Sequence, residues 1–197
     1  MTTSPTPSLD SLQNLSFAVI DFETTGINPK KDRILQMAAV IVNGAGEVVD
    51  SFDTVVRPTH PEEYEHGAEH IHGISREQVA SGMPLPDALE KLWSISEGKV
   101  ITAHNARFDI GFLHAETERI GLSRQVETFL DTLSLARHAD KERARKHSLG
   151  ALCAHYGIEL DHAHHALADA TATAELLIHL LREIQIENSD QLLNWLS

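Results

Sequence analysis

Cysteine is nearly absent: Cys153 is the only one in 197 residues. No intrachain disulfide can form, and the thiol count points to a reducing, cytoplasmic setting. No run of about eighteen or more apolar residues occurs, which excludes a spanning helix. The first residues, Met1 to Ser16, are rich in Ser, Thr and Pro and carry no basic, apolar targeting pattern. Basic residues are scarce, 16 Lys and Arg against 29 Asp and Glu, for a formal net charge of −13. That balance argues against coating duplex DNA through a broad basic face. It leaves room for a small pocket in which bound cations reverse the local sign. No Cys/His spacing of a structural zinc site, no phosphate-binding Gly-Lys-Ser/Thr loop and no nucleophile elbow are found.

What remains is ordinary globular material, 42% hydrophobic and 23% charged, in a length that suits one domain with its own core. Phe17 to Asp21 reads as a buried strand closed by Thr24-Thr25-Gly26. Arg33 to Val42 and Glu47 to Val56 read as two more strands around the hairpin signal Asn43-Gly44-Ala45-Gly46. Pro58 to Gly73 is polar, His-rich and irregular. Helical spacing marks Pro84 to Ser96 and Asn105 to Ile120, with a strand at Lys99 to Ala103 between them. A short strand at Glu127 to Asp131 and helices at Thr132 to His138, Ser148 to Tyr156 and Ala166 to Glu187 complete the chain. Successive strands followed by alternating strands and helices predict an α/β layer fold with a mixed sheet.

Three polar clusters interrupt this pattern. Asp21 and Glu23 sit two apart at a strand end, so both carboxylates project from one face. Acids that close repel unless a cation lies between them, and hard oxygens suit Mg²⁺ or Mn²⁺. The plain alternative is a pair of solvated acids. The second cluster is His104-Asn105-Ala106-Arg107-Phe108-Asp109. Asp109 falls in the first turn of a helix, where the dipole alone also favours a carboxylate. The third runs from His162 to Ala170 and sets Asp169 among alanines and a leucine, where a lone acid would be costly. His165 lies four residues before Asp169 and would share its helical face, whereas His164 is roughly 140° away on a continuous helix. Spacing leans to His165. Four carboxylates and a histidine at the ends of separate elements make the set a two-metal phosphodiesterase needs.

These clusters resemble the DnaQ-like, DEDDh group of 3′–5′ exonucleases, which includes the proofreading epsilon subunit of bacterial DNA polymerase III. The motifs stand here as Asp21-Phe22-Glu23-Thr24-Thr25-Gly26, as His104 through Asp109 followed by Phe112-Leu113, and as His164 through Ala170. Ile71-His72-Gly73-Ile74 and Leu130-Asp131-Thr132-Leu133 add secondary matches, and the likeness spans about Phe17 to Leu181. It implies an RNase H-like fold with a five-stranded mixed sheet flanked by helices. It implies two divalent cations, Mg²⁺ or Mn²⁺, held by Asp21, Glu23, Asp109 and Asp169. Asp21 would bridge the two ions, and Asp109 would act partly through water. Against the spacing argument, it assigns the general base to His164. It places Thr24, Thr25, Gly26 and His72 near the terminal nucleotide, and Asn105 and Phe108 join them as substrate contacts, although Phe108 also reads as core.

The expected organisation is a disordered leader over 1–16, an exonuclease domain over 17–187 and a short tail over 188–197. The tail leaves no room for a polymerase domain, so a free-standing enzyme, monomer or homodimer, is expected. Its substrate is a DNA 3′ end, single-stranded, in repair or proofreading. RNA 3′-end trimming, a non-catalytic scaffold and a histidine-rich metal-binding protein are the rivals. Gln191 to Leu196 faintly resembles a sliding-clamp peptide, against a plain helix that packs Leu192 and Trp195. Arg137 to Lys146, the one clearly basic stretch, is either a solvated loop or a track for the phosphate backbone.

Overall fold

The computed structural model describes residues 11–161 and 163–197. His162 and residues 1–10 of the expected leader lie outside them. A mixed sheet forms the frame: β1 (Ser16–Thr24), β2 (Ile34–Asn43), β3 (Val48–Arg57), β4 (Met83–Pro84), β5 (Val100–Ala103) and β6 (Leu130–Asp131), in the order β4-β3-β2-β1-β5-β6. β1, β2 and β3 are antiparallel neighbours, while β5 runs parallel to β1 and β6 parallel to β5. The expected five strands become six because Met83–Pro84 pairs with Val56–Arg57 at the far edge. Two residues ending in proline carry too little periodicity to be read from sequence.

The helices are α1 (Glu69–His72), α2 (Arg76–Ala80), α3 (Leu85–Ile95), α4 (Arg107–Arg119), α5 (Thr132–Ala139), α6 (Leu149–Tyr156), α7 (Ala166–Glu183) and α8 (Ser189–Leu193). The His-rich stretch expected to be irregular thus holds α1, and the long C-terminal helix stops at Glu183 rather than Glu187. Side chains alternate across the sheet. Phe17 and Val19 of β1 and Ala38, Val40 and Val42 of β2 pack into one apolar layer with α5, α6 and α7. Ala18, Ile20 and Phe22, with Met37, Ala39 and Ile41, pack into the other with α3 and α4. Ala166, Ala170 and Ala174, four apart and all buried, form a smooth strip along α7 that lies on the sheet. Among the described residues no helix is long and apolar enough to cross a membrane.

Residues 11–16 and 188–197, where described, pack against the domain. Leu12–Asn14 form a 3₁₀ turn capped by Ser11, Leu12 and Leu15 pack on the α7 layer, and β1 already begins at Ser16. Gly44 is required there: a Cβ would stand 1.8 Å from the Leu12 carbonyl oxygen. At the other end Leu192 is buried and Ser197 exchanges backbone hydrogen bonds with Phe129, N–H to O at 3.0 and 3.3 Å. The Trp195 ring meets His138 edge-on at 4.7 Å. Leu192, Trp195 and Leu196 of the clamp-like stretch are therefore packed on the domain, while Leu193 is exposed.

Candidate active site

The two neighbours of β1 differ in length. β2 pairs with all of it, Ser16 to Thr24, but β5 covers only Phe17 to Val19. The last residues of β1 therefore border a notch at the end of β5. Asp21 and Glu23 continue the odd-numbered series of Phe17 and Val19, so they face the layer that holds α7. Asp169 sits in the first turn of α7 and Asp109 in the first turn of α4. Single ligand atoms of Glu23, His164 and Asp169 all lie within 4.8 Å of one another.

Electrostatics mark this as one site. Burial, then repulsion from Asp109, Asp169 and Glu23, pushes the Asp21 carboxyl well above its ordinary range. Burial and Asp169 raise Glu23 to about 7. Asp109 is raised chiefly by burial, with Asp131 and Glu23 adding to it, while backbone hydrogen bonds from its own N–H and that of Phe22 oppose the shift. Asp169 is raised by burial, and its Oδ1 is buried without a hydrogen-bond partner. Four oxygen donors that resist ionisation together, one of them orphaned, fit a hard divalent cation. Such an ion supplies the positive charge the site lacks.

The two adjacent histidines have different surroundings. α7 begins at Ala166, after both, so the continuous-helix spacing that favoured His165 does not apply. His164 is exposed on the preceding loop in a left-handed conformation, φ +68°, and its N–H donates to Asp169 Oδ2 at 3.1 Å. A non-glycine residue held there is strained, and such strain collects at functional positions. His165 is turned toward β2. Gln36, buried in β2 directly across from Glu23, spends both amide protons: one on Asp53 Oδ1 at 2.8 Å, the other on His165 Nε2 at 3.1 Å. Its Oε1 accepts from the Ala166 N–H at 3.3 Å. This assignment satisfies every polar atom of Gln36 and occupies the His165 Nε2 lone pair. Gln36 was missed from sequence, yet it is the only polar residue within the apolar run Ile34 to Val42.

The other expected residues divide. Thr24 Oγ1 donates to Gly26 O at 2.6 Å, and Thr25 Oγ1 accepts from the Arg33 N–H at 3.0 Å, closing the loop between β1 and β2. A Cβ at Gly26 would lie 2.5 Å from an Asp32 carboxylate oxygen, so any other residue there would push the Asp32 side chain aside. His72 has both ring nitrogens engaged locally: Nε2–H donates to Gly67 O at 3.1 Å and Nδ1 accepts from the Ile74 N–H at 3.0 Å. Burial lowers its pKa, which suits that neutral form. Its ring braces a loop whose Gly67 packs on the Thr25 carbonyl. Asn105 is exposed at φ +63°, and its N–H donates to Asp131 Oδ1 at 2.9 Å. Phe108 packs on Phe112 with ring centroids 4.9 Å apart and joins the α3–α4 layer, as the core reading has it.

A mixed α/β sheet of this order, with acids gathered at the end of its central strand, defines a metal-dependent phosphodiesterase of RNase H-like architecture. An exonuclease family model, that of RNase T, matches residues 18–177. The chain belongs to that family and is a DEDDh-type 3′–5′ exonuclease. The family's enzymes use divalent metals. A PolC-type DNA polymerase III of Streptococcus sanguinis is 34% identical over 173 residues, which covers 88% of this chain and 12% of that protein. The PolC-type polymerase of Caldanaerobacter subterraneus is 34% identical over 169 residues, 86% and 12% of the two. The chain thus spans about an eighth of the length of these relatives. Among solved structures, Exonuclease X with 5′-overhanging duplex DNA superposes at TM-score 0.61 and 27% identity, over 84% of this chain and 91% of that one. The nuclease domain of 3′hExo, bound to rAMP, superposes at 0.74 and 20% identity, over 85% and 92%, and shares the fold.

Proposed function

We propose that this enzyme removes nucleoside 5′-monophosphates from the 3′ end of DNA, single-stranded by preference, in repair or proofreading. The observation that carries the reading is the meeting of Glu23, His164 and Asp169 beside half-buried Asp21 and buried Asp109. Asp21, Glu23, Asp109 and Asp169 would hold two divalent cations, Mg²⁺ or Mn²⁺. When bound, these supply a more acidic water and stabilise charge on the leaving oxygen. His164, on a loop and open to solvent, takes the water's proton at a ring nitrogen as the water oxygen adds to phosphorus. The P–O3′ bond breaks, and the departing O3′ takes a proton from solvent, leaving a strand one nucleotide shorter with a 3′-hydroxyl. His165, its Nε2 occupied by Gln36, holds the start of α7 against β2 and so keeps Asp169 opposite Glu23. That the relatives at 34% identity are DNA polymerases supports DNA over RNA as the substrate here.

The test is a degradation ladder on 5′-labelled DNA and matched RNA in Mg²⁺, Mn²⁺ and EDTA. A metal-dependent ladder that shrinks from the 3′ end and runs faster on DNA is expected. A faster ladder on RNA would replace the substrate with an RNA end. No ladder on either would overturn the reading.

A further inference from the structure

The basic stretch Arg137 to Lys146 is not one functional unit. Arg145 is used by the fold: its guanidinium reaches Glu183 Oε1 at 3.2 Å and Asp140 Oδ2 at 3.8 Å, and it lies 5.9 Å from the Tyr156 ring centroid. Asp140 is used as well, accepting from the N–H groups of Ala144 and Arg145 at 3.1 and 3.0 Å. These contacts fold the loop between α5 and α6 back on itself. They leave Arg137 and Arg143 exposed, and among the described residues neither forms an ion pair.

Both arginines line one open groove of about 790 Å³. Its other walls are His104, Asn105, Leu133, His147, Ser148 and Leu149, and among the described residues no carboxylate lines it, in a chain of net charge −13. Ser148 stands at the N-cap of α6 without using its hydroxyl as a cap, so that group is free for a ligand. The groove is built. His104 ties its floor together, accepting from the Thr132 hydroxyl at Nδ1 (2.9 Å) and donating from Nε2 to the His147 carbonyl (2.9 Å). One end opens at Asn105, whose loop leads into the turn of α4 that carries Asp109.

We infer that this groove holds the phosphodiester backbone of the substrate strand on the 5′ side of its terminal nucleotide, with Arg137 and Arg143 each on a phosphate. The inference rests on the exonuclease reading above and adds where the rest of the strand lies. Guanidinium groups suit phosphate oxygens by their planar fork of donors. An acidic surface elsewhere repels the strand from other paths.

The test compares wild type with the double variant Arg137→Gln/Arg143→Gln on two substrates. One is a single-stranded oligonucleotide of about twenty nucleotides. The other is the p-nitrophenyl ester of thymidine 5′-monophosphate, which has nothing to lay in the groove. The variant should raise KM on the oligonucleotide about tenfold or more, leaving kcat and ester hydrolysis unchanged. The slope of log KM against log salt should fall by about 1.4, roughly 0.7 for each lost phosphate contact on a single strand. An unchanged KM and slope on the oligonucleotide would overturn the inference. So would an equal loss on both substrates, which would make the arginines supports of the fold. If wild type hydrolyses neither substrate, the exonuclease reading fails first and the inference with it.

Discussion

The two halves of β1 are built from one continuous strand and do opposite things. Phe17 to Ile20 are fully buried, paired on the β2 side throughout and, for Phe17 to Val19, on the β5 side as well. Asp21 to Thr24 have β2 alone, and the face that carries Phe17 and Val19 in the first half carries Asp21 and Glu23 in the second. The first half stabilises the domain by burying apolar surface. The second gathers acids that burial and mutual repulsion hold back from ionising. Stability and catalysis are thus separated along a strand by the point at which one neighbour stops.

The sharpest way to sharpen that contrast is a pair of substitutions of opposite sign. Asp21→Asn should remove hydrolysis while raising the melting temperature of the metal-free protein, because it replaces an acid whose ionisation burial and three neighbouring acids oppose. Phe17→Ala should cost about 3–5 kcal/mol of stability, as deletion of a fully buried ring does. Parallel melting and activity assays check both, and a fall in melting temperature for Asp21→Asn would break the contrast.

Next in size is the histidine pair. His164→Ala should lower kcat by about 10²- to 10⁴-fold, the usual share of a general base. His165→Ala should cost less, since its Nε2 serves Gln36. The reverse order would assign the base to His165. Gln36→Leu tests the same division from β2. It should reduce activity by about 10- to 100-fold, in the manner of residues that support ligands without being one. Steady-state kinetics with Mn²⁺ titrated to saturation would check it, and unchanged kinetics would show that α7 needs no such anchor.

The smallest effect is a pH dependence of stability. Glu23 titrates at about 7 in the folded, metal-free chain against 4.5 for the free residue. Its folded pKa is raised, so its contribution is fully present below pH 4.5 and is lost as pH rises through 7. Glu23→Gln should therefore melt with wild type at pH 4.5 and above it at pH 8, by roughly 2–4 °C for each kcal/mol relieved. Scanning calorimetry in EDTA measures this, and equal melting temperatures at pH 8 would contradict it.

Much of the site was legible from residues alone. Alternation put Asp21 and Glu23 on one face, and apolar runs marked the three long strands and most helices. What escaped has physical reasons. The choice between His164 and His165 depended on where α7 begins, and a one-residue boundary changes which face a histidine occupies. β4 and α1 are too short to show a period. The resemblance alone assigns His72 near the terminal nucleotide, and its two ring nitrogens engage Gly67 and Ile74, contacts that no sequence pattern announces. Gln36 was visible as one polar residue in an apolar strand, a pattern whose meaning appears only when its partners, 17 and 129 residues away, are seen.

The most direct test of the central claim is calorimetric titration of Mn²⁺ into the metal-free protein at pH 7, in two buffers of different ionisation enthalpy, beside Asp21→Asn. The carboxylate notch should bind the ion with release of protons, because acids held neutral must ionise to ligate it, and the variant should lose that binding. Binding of equal strength in the variant would place the ion on the histidines instead and contradict the account.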